Sequence, residues 1–314
     1  MPPDFLASIG LILRDVCLPI ILVIALGRGF DRRFRLDLET LVKLNIYLFV
    51  PAFIFARVTR SEIGTEAGLR IVGFTLVMIG SMAMMSLLIA RLRHYRVEQK
   101  KSLLLTTMFY NCGNFGIPLM TLAFPSEGPG IQVFVLMTMN VATFSIGLLL
   151  ATAQSCPQRG LQWHFGPVLK QPSLYAIGLA WLCKSADVPV QDWVMVWKPI
   201  EFLADALVGL ALVTLGVQLS KTKPSRCSGP LAWALSIRLV GGPVLALFWV
   251  QVFGFPPIIA AILILGAAAP TAVNTALLAH EFKADSDAAA ASVLYSTVLS
   301  LIPVGLILLA IRLG

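Results

Sequence analysis

The sequence predicts an all-α polytopic membrane protein: ten transmembrane helices in two inverted five-helix repeats, with a broken helix of one repeat crossing its counterpart in the other. Three observations lead there. The 314-residue chain is 58% hydrophobic and 13% charged, with a mean hydropathy of +0.85, whereas an average soluble domain carries roughly 25% charged residues. Ten apolar stretches approach the length of about 20 residues that crosses a bilayer, and the basic residues between them gather on one side. In each half of the chain, the fourth stretch is interrupted at its middle by proline and amide residues.

Taken in order, the stretches are 5–27, 37–56, 68–92, 102–124, 130–153, 172–184, 199–219, 229–252, 256–279 and 286–311. The first follows Met-Pro-Pro-Asp with no basic residue before Arg14 and runs into a basic loop, so it is read as a retained helix rather than a cleaved leader. The second carries Lys43 and Asn45 ahead of Pro51, and the third carries Arg70 near its start. After the fifth comes the longest weakly hydrophobic connector, 154–171, with Trp163 and His164. It divides the chain into a first repeat (1–153) and a second (172–314). The sixth stretch is short. Glu201 and Asp205 open the seventh, which also holds Gly216 and Gln218; Arg238 lies in the eighth, and Tyr295 and Ser296 in the tenth.

With ten spans, 15 basic residues fall in the loops of one side (Arg28 to Arg35, Arg91 to Lys101, the connector, Lys221 to Arg226, and Lys283) and 5 on the other. Positive residues are retained in the cytoplasm, so both termini are expected outside, in the periplasm of a bacterial inner membrane. The two basic turns at Arg28–Arg35 and Arg91–Lys101 are read as contacts to lipid headgroups. Five spans per half is an odd number, so a repeated half must insert upside down relative to its partner, the arithmetic of an inverted-repeat transporter.

The interruption in the fourth stretch reads Tyr110-Asn111-Cys112-Gly113-Asn114-Phe115-Gly116-Ile117-Pro118, and that in the ninth Gly266-Ala267-Ala268-Ala269-Pro270-Thr271-Ala272-Val273-Asn274. Proline lacks an amide hydrogen and biases its predecessor away from helix. Hydrocarbon cannot satisfy the freed backbone groups, so such breaks must face protein or a cavity. Paired breaks in the two halves are the strongest sequence pointer to a midplane site, where half-helix amino termini hold an anion without a formal cation. The candidate substrate-binding residues are Asn111, Asn114, Pro118, Pro270 and Asn274. Asp205 and Arg238 are candidates for a role in transport or ion coupling, with an internal ion pair as the structural alternative, and Asn140, Tyr295 and Ser296 for lining the cavity.

Other classes fit poorly. The net charge of +8 lies in short loops, not in a tract that tracks nucleic acid. Cys17, Cys112, Cys156, Cys183 and Cys227 form no CxxC pair, which argues for small buried side chains and against a metal site. His280-Glu281 lacks the second histidine of HExxH, and no nucleotide loop or nucleophile elbow is present. An enzyme is not expected, no cofactor is implied, and energy must come from a gradient.

These stretches resemble the auxin efflux carrier family, which includes bacterial malonate and malate permeases and lies in the wider group of the bile-acid sodium symporters. Leu44-Asn45 with Pro51-Ala52, Asn111 to Pro118, Gly216 with Leu219, Pro270 to Asn274 and Tyr295-Ser296-Thr297 carry the resemblance over nearly the whole chain. It implies a scaffold moving against a panel of helices, with the substrate beside the crossover of the fourth and ninth helices. The long cytoplasmic loop of many plant members is reduced here to 154–171. The function expected is secondary transport of a small organic carboxylate, malonate-like, malate-like or auxin-like, by alternating access, coupled to H+ or Na+ or uncoupled. A passive anion channel and a sodium-coupled, bile-acid-symporter-like carrier are the alternatives. The expected partners are the solute and membrane lipids; a homodimer is one of the oligomeric states left open.

Overall fold

The computed structural model describes residues 9–143, 145, 171–222, 228–281 and 283–313. Of the connector, only Gln171 is among the described residues; Cys156, Arg159, His164, Lys170, Lys223, Arg226 and Cys227 lie outside them.

The described chain is helical, without a strand. Among the described residues, six helices are long and apolar enough to cross a membrane: α1 (Ile9–Phe34), α2 (Leu38–Arg60), α3 (Thr65–Leu92), α8 (Val194–Lys221), α9 (Gly229–Phe253) and α12 (Ser286–Leu313). Shorter helices complete the series: α4 (Val97–Met108), α5 (Gly116–Ala123), α6 (Gly128–Ala142), α7 (Pro172–Ser185), α10 (Pro257–Ala267) and α11 (Asn274–Glu281). The fourth and ninth stretches, expected as broken helices, are each two separate helices, α4 with α5 and α10 with α11. Several ends also differ from expectation. The first helix runs on past Gly27 through Arg33, and α8 begins at Val194, which leaves Pro199 inside it rather than at its start.

Three wide π turns interrupt the long helices, at Leu13–Cys17, Asn45–Phe49 and Ile237–Gly241. Each ends two residues before a proline: Pro19, Pro51 and Pro243. A proline inside a helix clashes with the carbonyl four residues back and removes a donor, and widening the preceding turn relieves both without breaking the span. The second of these turns begins with Asn45 and the third contains Arg238, two of the buried polar residues discussed below.

Packing brings α1, α2, α7 and α8 together, while α3 packs against α4, α6 and α9, and α12 against α4 and α11. The α1–α8 contact is made by glycines from both helices. A Cβ on Gly216 would lie 2.1 Å from the Ile24 carbonyl oxygen, and one on Gly27 2.4 Å from that of Val213, so the two backbones touch as small residues permit in membranes. On its outer face α1 exposes Leu22, Leu26, Phe30 and Phe34, the apolar surface a lipid-facing helix requires.

Polar residues near helix ends act as anchors. Lys43 pairs with Glu39 at 2.6 Å, and Glu201 lies between Arg60 (2.7 Å) and Lys198 (2.8 Å). Arg70 donates to the carbonyls of Phe253 and Gly254, closing the end of α9.

Candidate transport site

Between Met108 and Gly116, and between Ala267 and Asn274, the chain leaves the helical path. The two unwound segments meet antiparallel, with Tyr110 opposite Thr271. The Asn111 amide donates to the Pro270 carbonyl at 2.7 Å and the Ala272 amide to the Phe109 carbonyl at 2.9 Å. Each break thus supplies the hydrogen bonds that the other lacks, the requirement set by an apolar surrounding.

Side chains fix this crossing. Thr271 Oγ1 donates to the Thr106 carbonyl (2.9 Å), the Thr271 amide donates to Ser296 Oγ (3.0 Å), and Gln132 Nε2 donates to the Cys112 carbonyl (2.6 Å). Gly116 leaves room for that glutamine: a Cβ there would stand 2.4 Å from Gln132 Nε2.

Arg238 joins the two breaks from behind. It is 1% exposed, and its guanidinium donates through Nη1 to the Thr107 carbonyl (2.9 Å) and through Nη2 to the Ala267 carbonyl (2.5 Å). These carbonyls belong to the last turns of α4 and α10, the negative ends of both helix dipoles. No carboxylate pairs with Arg238 among the described residues, so the internal ion pair considered for it is replaced by two carbonyls, with its guanidinium carbon 5.0 Å from the centre of the Tyr110 ring.

On the other side of Tyr110 is a cavity of about 110 Å³. One wall comes from the crossing and α6: Tyr110, Asn111, Gly113, Asn114, Asn140 and Asn274. The opposite wall comes from α2, the start of α7 and the end of α8, with Asn45, Ser173 and Gln218. The amino termini of α5 and α11 lie beside this space, so positive dipole ends adjoin the cavity while Arg238 covers the negative ones.

The orientation of the Asn45 amide follows from its neighbour. Thr214 Oγ1 donates its hydrogen to the Leu210 carbonyl (2.7 Å), so it can only accept from Asn45, whose Nδ2 lies 3.1 Å away. Among the described residues, Asn45 Oδ1 is left buried without a partner, as are Gln218 Oε1 and Asn111 Nδ2.

Four of the residues singled out from sequence therefore line the cavity: Asn111, Asn114, Asn140 and Asn274. Six do not. Pro118 sits in the first turn of α5, where its missing amide hydrogen costs nothing, and Pro270 contributes its carbonyl to the crossing. Ser296 braces Thr271, and Tyr295 is outside the lining. Arg238 lies behind Tyr110. Asp205 is remote, 3.5 Å from Arg57 at the α2–α8 contact, with its side chain 65% exposed. The structure thus places these six outside the cavity lining. Gln132, Gln171 and Ser173 were not anticipated; the only available sign was a lone polar residue within or beside an apolar run.

Two broken helices that complete each other beside a small polar cavity give this all-helical membrane fold a candidate solute site at the crossing. Residues 168–308 match the family described as "Membrane transport protein". The chain is 23% identical over 271 residues to an "Uncharacterized transporter" of Methanothermobacter thermautotrophicus, covering 85% of this chain and 86% of that one. It is 25% identical over 283 residues to a "Putative malonate transporter" of Rhizobium meliloti, covering 86% and 85%. The chain is thus similar, over 168–308, to a membrane transport family and, over most of its length, to two proteins named as transporters, and its long apolar helices are those of an integral membrane protein.

Proposed function

We propose that the protein is a secondary carrier for a small organic carboxylate, malonate-like or malate-like, working by alternating access in a bacterial inner membrane. In this reading the ten apolar stretches form two inverted repeats with both termini outside. The group α1, α2, α7 and α8 is the scaffold against which the crossing moves. The observation that carries the proposal is the division of charge at the crossing: Arg238 holds the carbonyl ends of α4 and α10, leaving the amino ends of α5 and α11 and the amides of Asn111, Asn114 and Asn274 toward the cavity. That polarity favours an anion.

Size supports a compact solute. The cavity of about 110 Å³ is well above the roughly 10–15 Å³ that a single bound water needs, room for a small solute. The name of the Rhizobium meliloti relative points the same way.

The test is uptake of labelled malonate into sealed proteoliposomes under an imposed membrane potential, with H+ and Na+ gradients set separately, and malate and indole-3-acetate as competitors. Saturable uptake that is accelerated by unlabelled malonate on the opposite side, and falls at least tenfold in Asn114→Ala, is expected. Uptake without counterflow would mean a channel. No uptake above empty liposomes, from protein shown to be folded, would remove the carboxylate assignment.

A further inference from the structure

A second cavity, of about 220 Å³, lies toward the other ends of two helices that line the transport cavity. Where the cavity at the crossing takes Asn45 from α2 and Ser173 from α7, this one takes Val58 and Ser61 from the end of α2 and Trp181, Lys184 and Ser185 from the end of α7. Phe134, in the first half of α6, and Thr65, which opens α3, complete its sides. The connector joins α6 and α7 at their opposite ends.

The cavity combines one cation with an apolar wall. The Lys184 ammonium donates to the Ser61 carbonyl, which fixes where the charge sits and leaves two of its three N–H donors for a ligand. Among the described residues no carboxylate lies within ion-pair distance of Lys184. Glu201 is held by Arg60 and Lys198, and the acids nearby in sequence, Glu62, Glu66 and Asp187, do not line the space. Phe134 and Trp181 present ring surface to it.

Its depth is that of lipid headgroups. The apolar helix α2 stops at Arg60, α3 starts at Thr65 and α7 stops at Ser185, so the cavity sits where the hydrocarbon ends, the level at which tryptophan gathers. Beside it α7 exposes Leu179 and Leu182, and α3 exposes Leu69, a surface suited to acyl chains.

We propose that this cavity binds an anionic phospholipid, with its phosphate against Lys184 and the hydroxyls of Ser61 and Thr65 and its glycerol and first acyl carbons against Phe134 and Trp181. A soluble anion uses the cation and leaves the apolar wall wet; a zwitterionic headgroup brings its own ammonium toward Lys184. The bound lipid touches α2 and α7 on one side and α3 and α6 on the other, helices of the two groups that the carrier reading above sets in motion against each other. Occupancy therefore favours the arrangement in which the cavity is formed and alters turnover; this regulatory half rests on that reading.

The full-length protein, delipidated in detergent, is titrated with phosphatidylglycerol, and bound lipid is counted by native mass spectrometry. The tightest-held phosphatidylglycerol should bind about fivefold more weakly to Lys184→Gln, the weight of one lysine at a membrane surface, and normally to Lys184→Arg. Lys283→Gln, at an exposed lysine in another loop, should leave it unchanged. Phosphatidylcholine should bind the wild type about fivefold more weakly, and neither glycerol 3-phosphate nor malonate should displace the lipid. Displacement by either would make this a site for a soluble anion and overturn the proposal, as would equal binding of phosphatidylcholine or undiminished binding by Lys184→Gln. For the regulatory half, malonate uptake by the wild type should differ at least twofold between proteoliposomes with and without phosphatidylglycerol, and uptake by Lys184→Gln should not. Lipid binding with equal wild-type uptake in both would overturn that half. No uptake in any lipid would overturn the carrier reading and leave the lipid site standing on its binding.

Discussion

At the scale of single residues, Arg238 is the one whose replacement is most informative. Its two donors meet carbonyls from different helices, and each carbonyl orphaned in the interior costs about 1–3 kcal/mol. Arg238→Met should therefore lower the thermal unfolding midpoint in detergent and abolish uptake. Arg238→Lys should recover only part of the loss, because a compact ammonium cannot span both carbonyls as a planar fork does. Asn111, Asn114 and Asn274 were legible as site residues because an amide in an apolar run has no role in lipid. Asn45 and Gln218 were visible as polar residues but not as site residues, since their facing walls come from α2 and α8, far apart in sequence. For Asp205, sequence gave the cost of the charge and not its partner; Arg57 lies on another helix.

At the scale of elements, the positions of proline carried more information than their effect suggested. Pro19, Pro51 and Pro243 mark three π turns that keep their helices continuous, whereas the stretches containing Pro118 and Pro270 are broken outright. The difference lies in what can satisfy the freed backbone: a wider turn repairs a single lost bond, but the long gaps at 109–115 and 268–273 also need each other's backbone and the side chains of Gln132 and Ser296. Hydropathy reports neither. The α1–α8 contact offers a test at this scale. Gly216→Ala must displace the Ile24 backbone and should cost about 1–3 kcal/mol, the usual penalty of overpacking. Gly209→Ala, on the same helix but with nothing within 4 Å of its added carbon, should change the unfolding midpoint little. Equal effects would mean that helix propensity, not backbone approach, governs both sites.

At the scale of the whole molecule, the membrane class was legible from composition, because lipid selects for apolar length without reference to tertiary structure. The expectation that both termini face outward is open to direct measurement. In a cysteine-free background, thiols placed at Arg33 and Arg93 should react with a membrane-impermeant reagent only after the cytoplasmic side is opened, and thiols at Glu62 and Asp187 in intact cells. The reverse pattern would invert the topology while leaving the crossing unchanged. Packing could not be read in this way: the grouping of α1 and α2 with α7 and α8 joins helices from the two halves of the chain.

The crossing also bears on how the chain is made. Thr271 bonds to Thr106 across 165 residues of sequence, and the backbone groups around Tyr110 find their partners at Pro270 and Ala272. During synthesis the first of these segments reaches the membrane long before the second exists. Until then its amides and carbonyls must be kept wet or held by the insertion machinery, since lipid offers them nothing. Neither half can complete its own membrane-spanning path alone, and the final act of assembly is the mutual closing of two gaps that the ribosome made far apart in time.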